Sequence, residues 1–177
     1  VCILILLFGK IGDLIGKIKV FRWGTFIFVL GSLLCGIEIT LGFLLVARII
    51  QAIGASMTMS ANYGIITEIF PIKERGKALG LMGSFVSLGS IAGPGIGGIL
   101  LAHFDWSSIF LINVPVGLIT IFMGMKILPK DLFLKEEKID YAGFLAFALF
   151  IGTLFIGIFI GQEIGFLHGI VIGMFSI

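Results

Sequence analysis

Long apolar runs, separated by short polar segments, make up most of this sequence. Five runs lie at 20–37, 41–69, 79–101, 109–127 and 139–160, and about 20 helical residues cross the hydrocarbon core of a bilayer. Four of the runs are about that long, and 41–69 is longer, as expected of a helix that is tilted or protrudes into water. The pattern therefore predicts five membrane helices. Shorter apolar segments at 1–8 and 164–177 predict an incomplete helix at each end, as expected of a piece of a longer protein.

Basic residues are distributed unevenly among the polar segments. Of the twelve Lys and Arg, four lie in a predicted loop at 9–22, three at 73–77 and four at 126–138. The turns at Glu38, Asp105 and Glu163, which alternate with these segments, contain none. By the positive-inside rule, the three basic segments are predicted to be cytoplasmic. Each is too short to hold a soluble catalytic domain.

Composition narrows the class of protein further. With 59% hydrophobic and 12% charged residues, the chain is predicted to be an integral membrane protein. No basic stripe interleaved with aromatic residues indicates nucleic acid, and no protein partner is implied. Cys2 and Cys35 lie far apart in apolar runs, which indicates packing residues. His103 and His168 have no second ligand nearby, so neither a metal site nor a cofactor is expected.

The third long run has an unusual pattern of glycine and proline. Gly89, Gly93 and Gly97 recur every fourth residue and form one bare stripe, along which another helix backbone can approach closely. Pro94 removes a backbone donor in mid-membrane, and Gly98 follows the stripe. We expect this helix to be bent and packed inside a bundle.

Arg48 is the charged residue placed well inside a predicted span. An arginine there costs at least about 2.5 kcal/mol, so it is expected to face the bundle interior or a wet cavity and to have a partner. The alternative is a side chain that reaches back to the membrane surface near Leu41. Gln51 lies one turn further on. Because arginine does not release its proton at biological pH, Arg48 can only tune a carboxylate.

The same helix offers a second group of candidates. Met57, Met59 and Asn62 are predicted cavity-lining residues for apolar compounds, since flexible methionines tolerate varied ligand shapes. The alternative is ordinary packing. Elsewhere at membrane depth there are no paired carboxylates and no Ser/His or His/Asp arrangement, so the sequence does not indicate an enzyme.

Three motifs, in this order, resemble those of a known family. The segment 9–19 resembles the loop G-x-x-x-D-x-x-G-[RK]-[RK] between helices 2 and 3 of the major facilitator superfamily. The segment 44–55 resembles its helix 4 motif R-x-x-Q-G-x-G, with alanine at position 52. The segment 89–98 matches the helix 5 antiporter motif G-x-x-x-G-P-x-x-G-G at every fixed position. The chain is similar to the drug:proton antiporters of this family, in particular the branch with fourteen helices.

The resemblance implies a fold and a domain organisation. The fold is an all-α polytopic membrane protein, a partial bundle from the end of helix 2 to the start of helix 8. Residues 1–127 would belong to the N-terminal six-helix bundle. Residues 128–138 would form a short cytoplasmic loop, where twelve-helix relatives have a long one. Residues 139–177 would form the linker helices between the two halves, the second of them incomplete.

The first motif implies a conformational latch. Glycines there permit a tight turn, and Asp13 can accept hydrogen bonds from the start of the following helix. The alternative is a solvated charge cluster that only fixes the orientation of the protein in the membrane. Leu14 stands where the family commonly has arginine, which weakens the charge network carried over to Asp13. The implied latch residues are Gly9, Asp13, Gly16, Lys17 and Lys19.

The resemblance also implies a function. It is proton-coupled efflux of drugs or amphiphilic small molecules across the cell membrane by alternating access, with the substrate, protons and the lipid bilayer as partners. Arg48 and Gln51 would act in proton coupling, together with acidic residues outside this sequence. Two alternatives stay open, an importer or uniporter of a polar solute and an inactive truncated remnant.

Overall fold

The computed structural model is helical throughout and describes residues 1–37, 40–129, 141–165 and 169–175. The helices are α1 (Cys2–Ile15), α2 (Lys17–Cys35), α3 (Leu41–Ile69), α4 (Ile72–His103), α5 (Ser108–Leu111), α6 (Asn113–Ile127), α7 (Tyr141–Ile164) and α8 (Gly169–Phe175). Within these ranges, five helical stretches are long and apolar enough to cross a membrane, with α5 and α6 together forming one of them. The predicted all-α membrane fold is confirmed.

The limits of α3 agree with the sequence prediction, and its ends show why. At the start, the Thr40 side chain accepts a hydrogen bond from the backbone N–H of Phe43 at 3.2 Å. Such a cap satisfies one of the donors that the first turn leaves free. At the other end, Phe70 is extended and precedes Pro71, a position where proline disfavours helical backbone.

The prediction of a loop at 9–22 was wrong. The helix α1 continues to Ile15 and α2 begins at Lys17, so the break is Gly16 alone, with φ 109° and ψ 127°. This backbone conformation is accessible to glycine and strained for other residues. Lysine is a good helix former, so the lysine-rich sequence around Gly16 is compatible with helix as well as with loop.

The second basic segment, at 73–77, is helical too, because α4 begins at Ile72 rather than at residue 79. Two further boundaries differ by fewer residues. The predicted helix at 109–127 is divided at Ile112 into α5 and α6, and the next helix extends to Ile164 rather than to Ile160. Several predicted features lie outside the described residues. These are the turn at Glu38, most of the third basic segment, including Lys130, Lys135 and Lys138, the side chain of Cys2, and His168.

The helices α2 and α3 form the centre of the molecule, in contact along small residues. A Cβ atom built on Gly31 would lie 2.5 Å from the backbone nitrogen of Gln51, and one on Gly24 would lie 2.6 Å from Cβ of Met57. Glycine at these positions allows the two backbones to approach closely. Two buried clusters follow, one of Ile18, Val20, Ala61 and Ile65, and another of Cys35, Ala47 and Phe110.

The helix α4 is not packed inside a bundle in the part of the chain that the structure describes. It continues through Pro94, and none of its residues is buried. A Cβ atom built on any of its motif glycines would meet nothing within 4 Å, namely on Gly89, Gly93, Gly97 and Gly98. The described helices therefore supply no partner for the stripe, and its role in packing and bending stays a prediction.

Arg22 joins α2 to the end of α6. Its Nη2 atom donates to the backbone oxygen of Gly124 at 3.3 Å and to that of Leu128 at 3.5 Å. These carbonyls belong to the last turn and the C-cap of α6, where a cation complements the partial negative charge of the helix end. One side chain thus fixes where α6 ends relative to α2.

Candidate functional site

Arg48 lies on α3, about two turns past the start of that helix. Its Nη1 atom donates to Oε1 of Gln51 at 3.1 Å, and its Cζ atom is 4.4 Å from the centroid of the Phe110 ring. The rest of the side chain is exposed and lines an open cavity of about 340 Å³. The guanidinium therefore has an acceptor, an aromatic face and a free side toward the cavity.

Gln51 connects Arg48 to α2. Its side chain is buried, with 6% of the residue exposed, and Nε2 donates to Oγ of Ser32 at 2.8 Å. The Cys35 thiol, fully buried, lies 3.9 Å from Oε1 of Gln51 as a weak donor. A buried amide needs such partners, because losing them costs its full desolvation. Ser32, Gln51 and Arg48 thus form one hydrogen-bonded chain across α2 and α3.

The cavity beside Arg48 has a mixed lining. Arg48 and Gln51 are joined there by Asn113 of α6, and apolar surface comes from Val1, Phe28, Ala52 and Ala55. Guanidinium and amide N–H groups at the edge of an apolar cavity can donate to carbonyl or carboxylate oxygens of a ligand. The arrangement suits a compound with a large apolar part and a few acceptor atoms.

A second polar group lies at the opposite end of α3. Lys17 Nζ is 3.1 Å from Oδ1 of Asp13 and 2.6 Å from Oε1 of Glu68, so one cation links α1, α2 and α3. Its aliphatic stem passes over Gly64, where an added Cβ would lie 2.5 Å from Lys17 Cδ. Asp13 therefore pairs with the Lys17 side chain, whereas the start of α2 has no side-chain cap.

A model of the Major Facilitator Superfamily matches residues 1–177. The chain belongs to this family. The family resemblance read from the three motifs is thereby confirmed, and so is a partial helical bundle of this type. Membership together with five helical stretches able to cross a membrane identifies a multi-pass membrane protein of this superfamily.

Curated relatives within the superfamily differ in what their names say they transport. The chain is 46% identical over 144 residues to the riboflavin transporter RibZ of Clostridioides difficile. The aligned residues cover 81% of this chain and 32% of RibZ. It is 32% identical over 157 residues to multidrug resistance protein 3 of Bacillus subtilis, and the aligned residues cover 89% of this chain and 31% of that protein. Multidrug resistance protein Stp of Mycobacterium tuberculosis is 29% identical over 158 residues, covering 89% and 29%. The chain thus spans about a third of the length of these relatives.

The structure brings together some of the predicted site residues of this superfamily member and separates others. Arg48 with Gln51, and Asp13 with Lys17 next to Gly16, are adjacent. A Cβ atom on Gly9 would meet nothing within 4 Å, and Lys19 lies exposed on α2.

The predicted cavity residues of α3 differ in their exposure and packing. Met57 packs against the cluster of Ile18 and Val20, Met59 is exposed and Asn62 is half-buried. None of the three lines the cavity beside Arg48 or the larger one of about 800 Å³ between α1, α3 and α7. Met57 is a packing residue because the close approach of α2 at Gly24 encloses it.

Sequence reasoning missed three partners, Ser32, Glu68 and Phe110. A signal existed for Ser32, since small residues recur on α2 at 24, 31, 32 and 35, close to helical periodicity. Glu68 was visible only as an acid at the end of a long apolar run. Phe110 is one of 18 phenylalanines, and nothing local distinguishes it.

We expect Lys17→Met to slow transport by the full-length protein several-fold while leaving KM unchanged. The substitution removes the cation that pairs with both Asp13 and Glu68, at the end of α3 opposite to the cavity beside Arg48. The Lys17 side chain is only 18% exposed, so solvent screens the lost ion pairs only in part. The loss of stability should be about 1–3 kcal/mol, as for a largely buried polar group left without its partner. Initial rates at several substrate concentrations measure the effect.

Lys73→Met is the matched control, because Lys73 is an exposed lysine near the start of α4. Equal rates for the Lys17→Met and Lys73→Met proteins would contradict the latch. They would favour the alternative, a charge cluster that only fixes orientation.

Proposed function

We propose that the full-length protein exports drugs or other amphiphilic small molecules in exchange for protons, by alternating access. The observation that carries the proposal is Arg48, whose guanidinium is held by Gln51 and Phe110 and faces a cavity among apolar helices. A charge within a membrane helix is costly and by default marks a pathway for substrate or ions. Relatives named as multidrug resistance proteins support the substrate class.

The proposal gives Arg48 an indirect part in proton movement. Arginine stays charged, so it acts by lowering the pKa of a carboxylate that approaches it, which favours release of the proton. The ten acidic residues of this sequence lie in or beside its polar segments rather than in the middle of a membrane helix. The proton-carrying acid is therefore proposed to lie elsewhere in the full-length protein.

The same proposal includes sidedness and domains. The protein would lie in the cell membrane with its basic segments in the cytoplasm, as the positive-inside rule predicts. Residues 1–127 would form part of the N-terminal bundle, and 139–177 would belong to linker helices after the short loop at 128–138.

A second candidate function is transport of a polar, planar heteroaromatic solute such as riboflavin. Its support is the identity of 46% to the riboflavin transporter RibZ, against 32% to multidrug resistance protein 3. The cavity adds to this support, because Arg48, Gln51 and Asn113 converge on it and could bind the carbonyl oxygens of such a solute. From the sequence, polar groups of this kind looked sparse.

Inside-out vesicles that carry the full-length protein test the first candidate. We expect energised vesicles to accumulate a fluorescent cationic dye and to release it on uncoupling. With the Arg48→Ala protein, the initial rate of dye uptake should be at least tenfold lower. The control is Arg75→Ala, which removes an arginine in the first turn of α4, where Arg75 Nε donates to the backbone oxygen of Phe70 at 3.0 Å.

Radiolabelled riboflavin, offered to the same vesicles and to whole cells, tests the second candidate. Movement of riboflavin without movement of dye would reject drug export and support the polar solute. If full-length protein is present in the membrane and neither compound moves, both candidates fail, and an inactive remnant becomes the better account.

A further inference from the structure

The aromatic partner of Arg48 is held firmly in place. Phe110 is 8% exposed and belongs to the buried cluster with Cys35 and Ala47. Its ring forms an edge-to-face pair with Trp106, with centroids 5.8 Å apart and an interplanar angle of 87°. The side chain projects from α5, which is only four residues long and ends before Ile112. The ring is thus fixed by packing on several sides while one face meets the guanidinium.

Few contacts hold Arg48 itself. Gln51 accepts one hydrogen bond from Nη1, and Phe110 lies under the guanidinium at 4.4 Å. The carboxylates of Asp13 and Glu68 are paired with Lys17 at the opposite end of α3. A guanidinium attracted to the face of an aromatic ring is held more strongly as water is removed, so the contact gains strength in an apolar bundle.

The two contacts of Arg48 have different consequences. The amide of Gln51 fixes one nitrogen of the guanidinium, which leaves the plane of the group free to rotate about that bond. The Phe110 ring limits this rotation, because the guanidinium carbon lies 4.4 Å from the centroid of the ring. Arg48 itself lines the cavity that contains Asn113, so the two contacts restrain a guanidinium at the edge of that cavity.

We propose that Phe110, supported by Trp106, is a positioning residue that orients the Arg48 guanidinium toward the cavity. The inference deepens the proposed function, on which its role in transport rests. Phe110 touches neither substrate nor proton in this account. It sets the direction of the Arg48 N–H groups, which would meet a substrate or an approaching carboxylate in the cavity, and Trp106 keeps the ring from turning away.

A double-mutant cycle on the full-length protein tests the contact without any substrate. The thermal midpoint of unfolding is measured for the starting protein, Phe110→Leu, Arg48→Gln and the double variant. Leucine keeps an apolar side chain in the cluster and removes the ring face. Packing losses are the same in both backgrounds, so we expect Phe110→Leu to lower the midpoint by about 2 °C more when Arg48 is present.

Dye transport tests the role of the contact. We expect Phe110→Leu to lower kcat/KM about tenfold, and Phe110→Tyr, which keeps the ring, to retain most of it. Phe26→Leu is the control, because Phe26 forms a similar edge-to-face pair with Trp23, at 6.0 Å and 89°, with no cation recorded over it among the described residues.

The outcomes separate this inference from the proposed function. Additive midpoints would overturn the contact, and unchanged transport in Phe110→Leu would overturn its role. If the starting protein moves no dye, the proposed function fails. The cycle then decides alone whether Phe110 positions Arg48, with coupling supporting the inference and additivity overturning it.

Discussion

Replacing Gly54 with alanine is expected to lower the stability of the full-length protein by about 1–3 kcal/mol, as overpacking does in a close-packed core. A Cβ atom at this position would lie 2.7 Å from the backbone oxygen of Gly24 and 2.7 Å from Cα of Phe28, and closer still to the Phe28 nitrogen. All three atoms belong to the backbone of α2, so no flexible side chain can move aside. The two helices must separate instead.

Gly42→Ala provides the matched control on the same helix. A Cβ atom there meets nothing within 4 Å, so we expect a neutral or slightly stabilising effect, since alanine is the better helix former. Thermal unfolding of the purified protein in detergent compares the two variants. Equal midpoints would show that α2 and α3 tolerate an added methyl group at Gly54, and the close approach would not be a constraint.

The helix contact and the polar site depend on each other. Gly31 brings α2 so close to α3 that an added Cβ would meet the Gln51 backbone at 2.5 Å, and the next residue, Ser32, is the one that Gln51 binds. A separation of the helices by even a fraction of an ångström would lengthen a hydrogen bond of 2.8 Å. The glycine contact therefore sets the geometry of Gln51 and, through it, of Arg48.

Sequence was sufficient where structure is decided locally. The α3 limits follow from Thr40 at one end and Pro71 at the other, and both signals are short-range. The break between α1 and α2 was expected to be wider than Gly16 alone. Lysine-rich sequence permits loop and helix alike, and a single glycine with positive φ is enough to end one helix and begin the next. Arg48 could be singled out from the cost of its charge alone.

Sequence was insufficient where partners come from different helices. Lys17 binds Glu68, which lies 51 positions away, and nothing in the local pattern connects them. Phe110 reaches Arg48 only because α5 packs beside the α2–α3 pair, which is a consequence of tertiary structure. The glycine stripe of α4 differs from these examples. Its pattern predicts a close helix neighbour, and the described residues do not include one.

Gln51→Leu is expected to reduce both stability and transport. Leucine is similar in size, so little cavity forms, but Ser32 and Arg48 each lose their hydrogen-bond partner. A buried polar group left without a partner costs about 1–3 kcal/mol, and the midpoint of thermal unfolding should fall accordingly. Transport of dye or riboflavin should fall at least tenfold, because the guanidinium is no longer held. Gln162→Leu is the control, since Gln162 is exposed on α7.

A second substitution separates the two effects of losing Gln51. In the double variant Gln51→Leu with Ser32→Ala, both members of the buried pair are apolar, which costs much less than one unpaired group. We expect stability to recover most of the loss while transport stays low, since Arg48 still lacks its acceptor. Recovery of transport together with stability would mean that Gln51 serves the fold alone. If transport stays low although the protein is stable, transport depends on the orientation of Arg48 and not on stability alone.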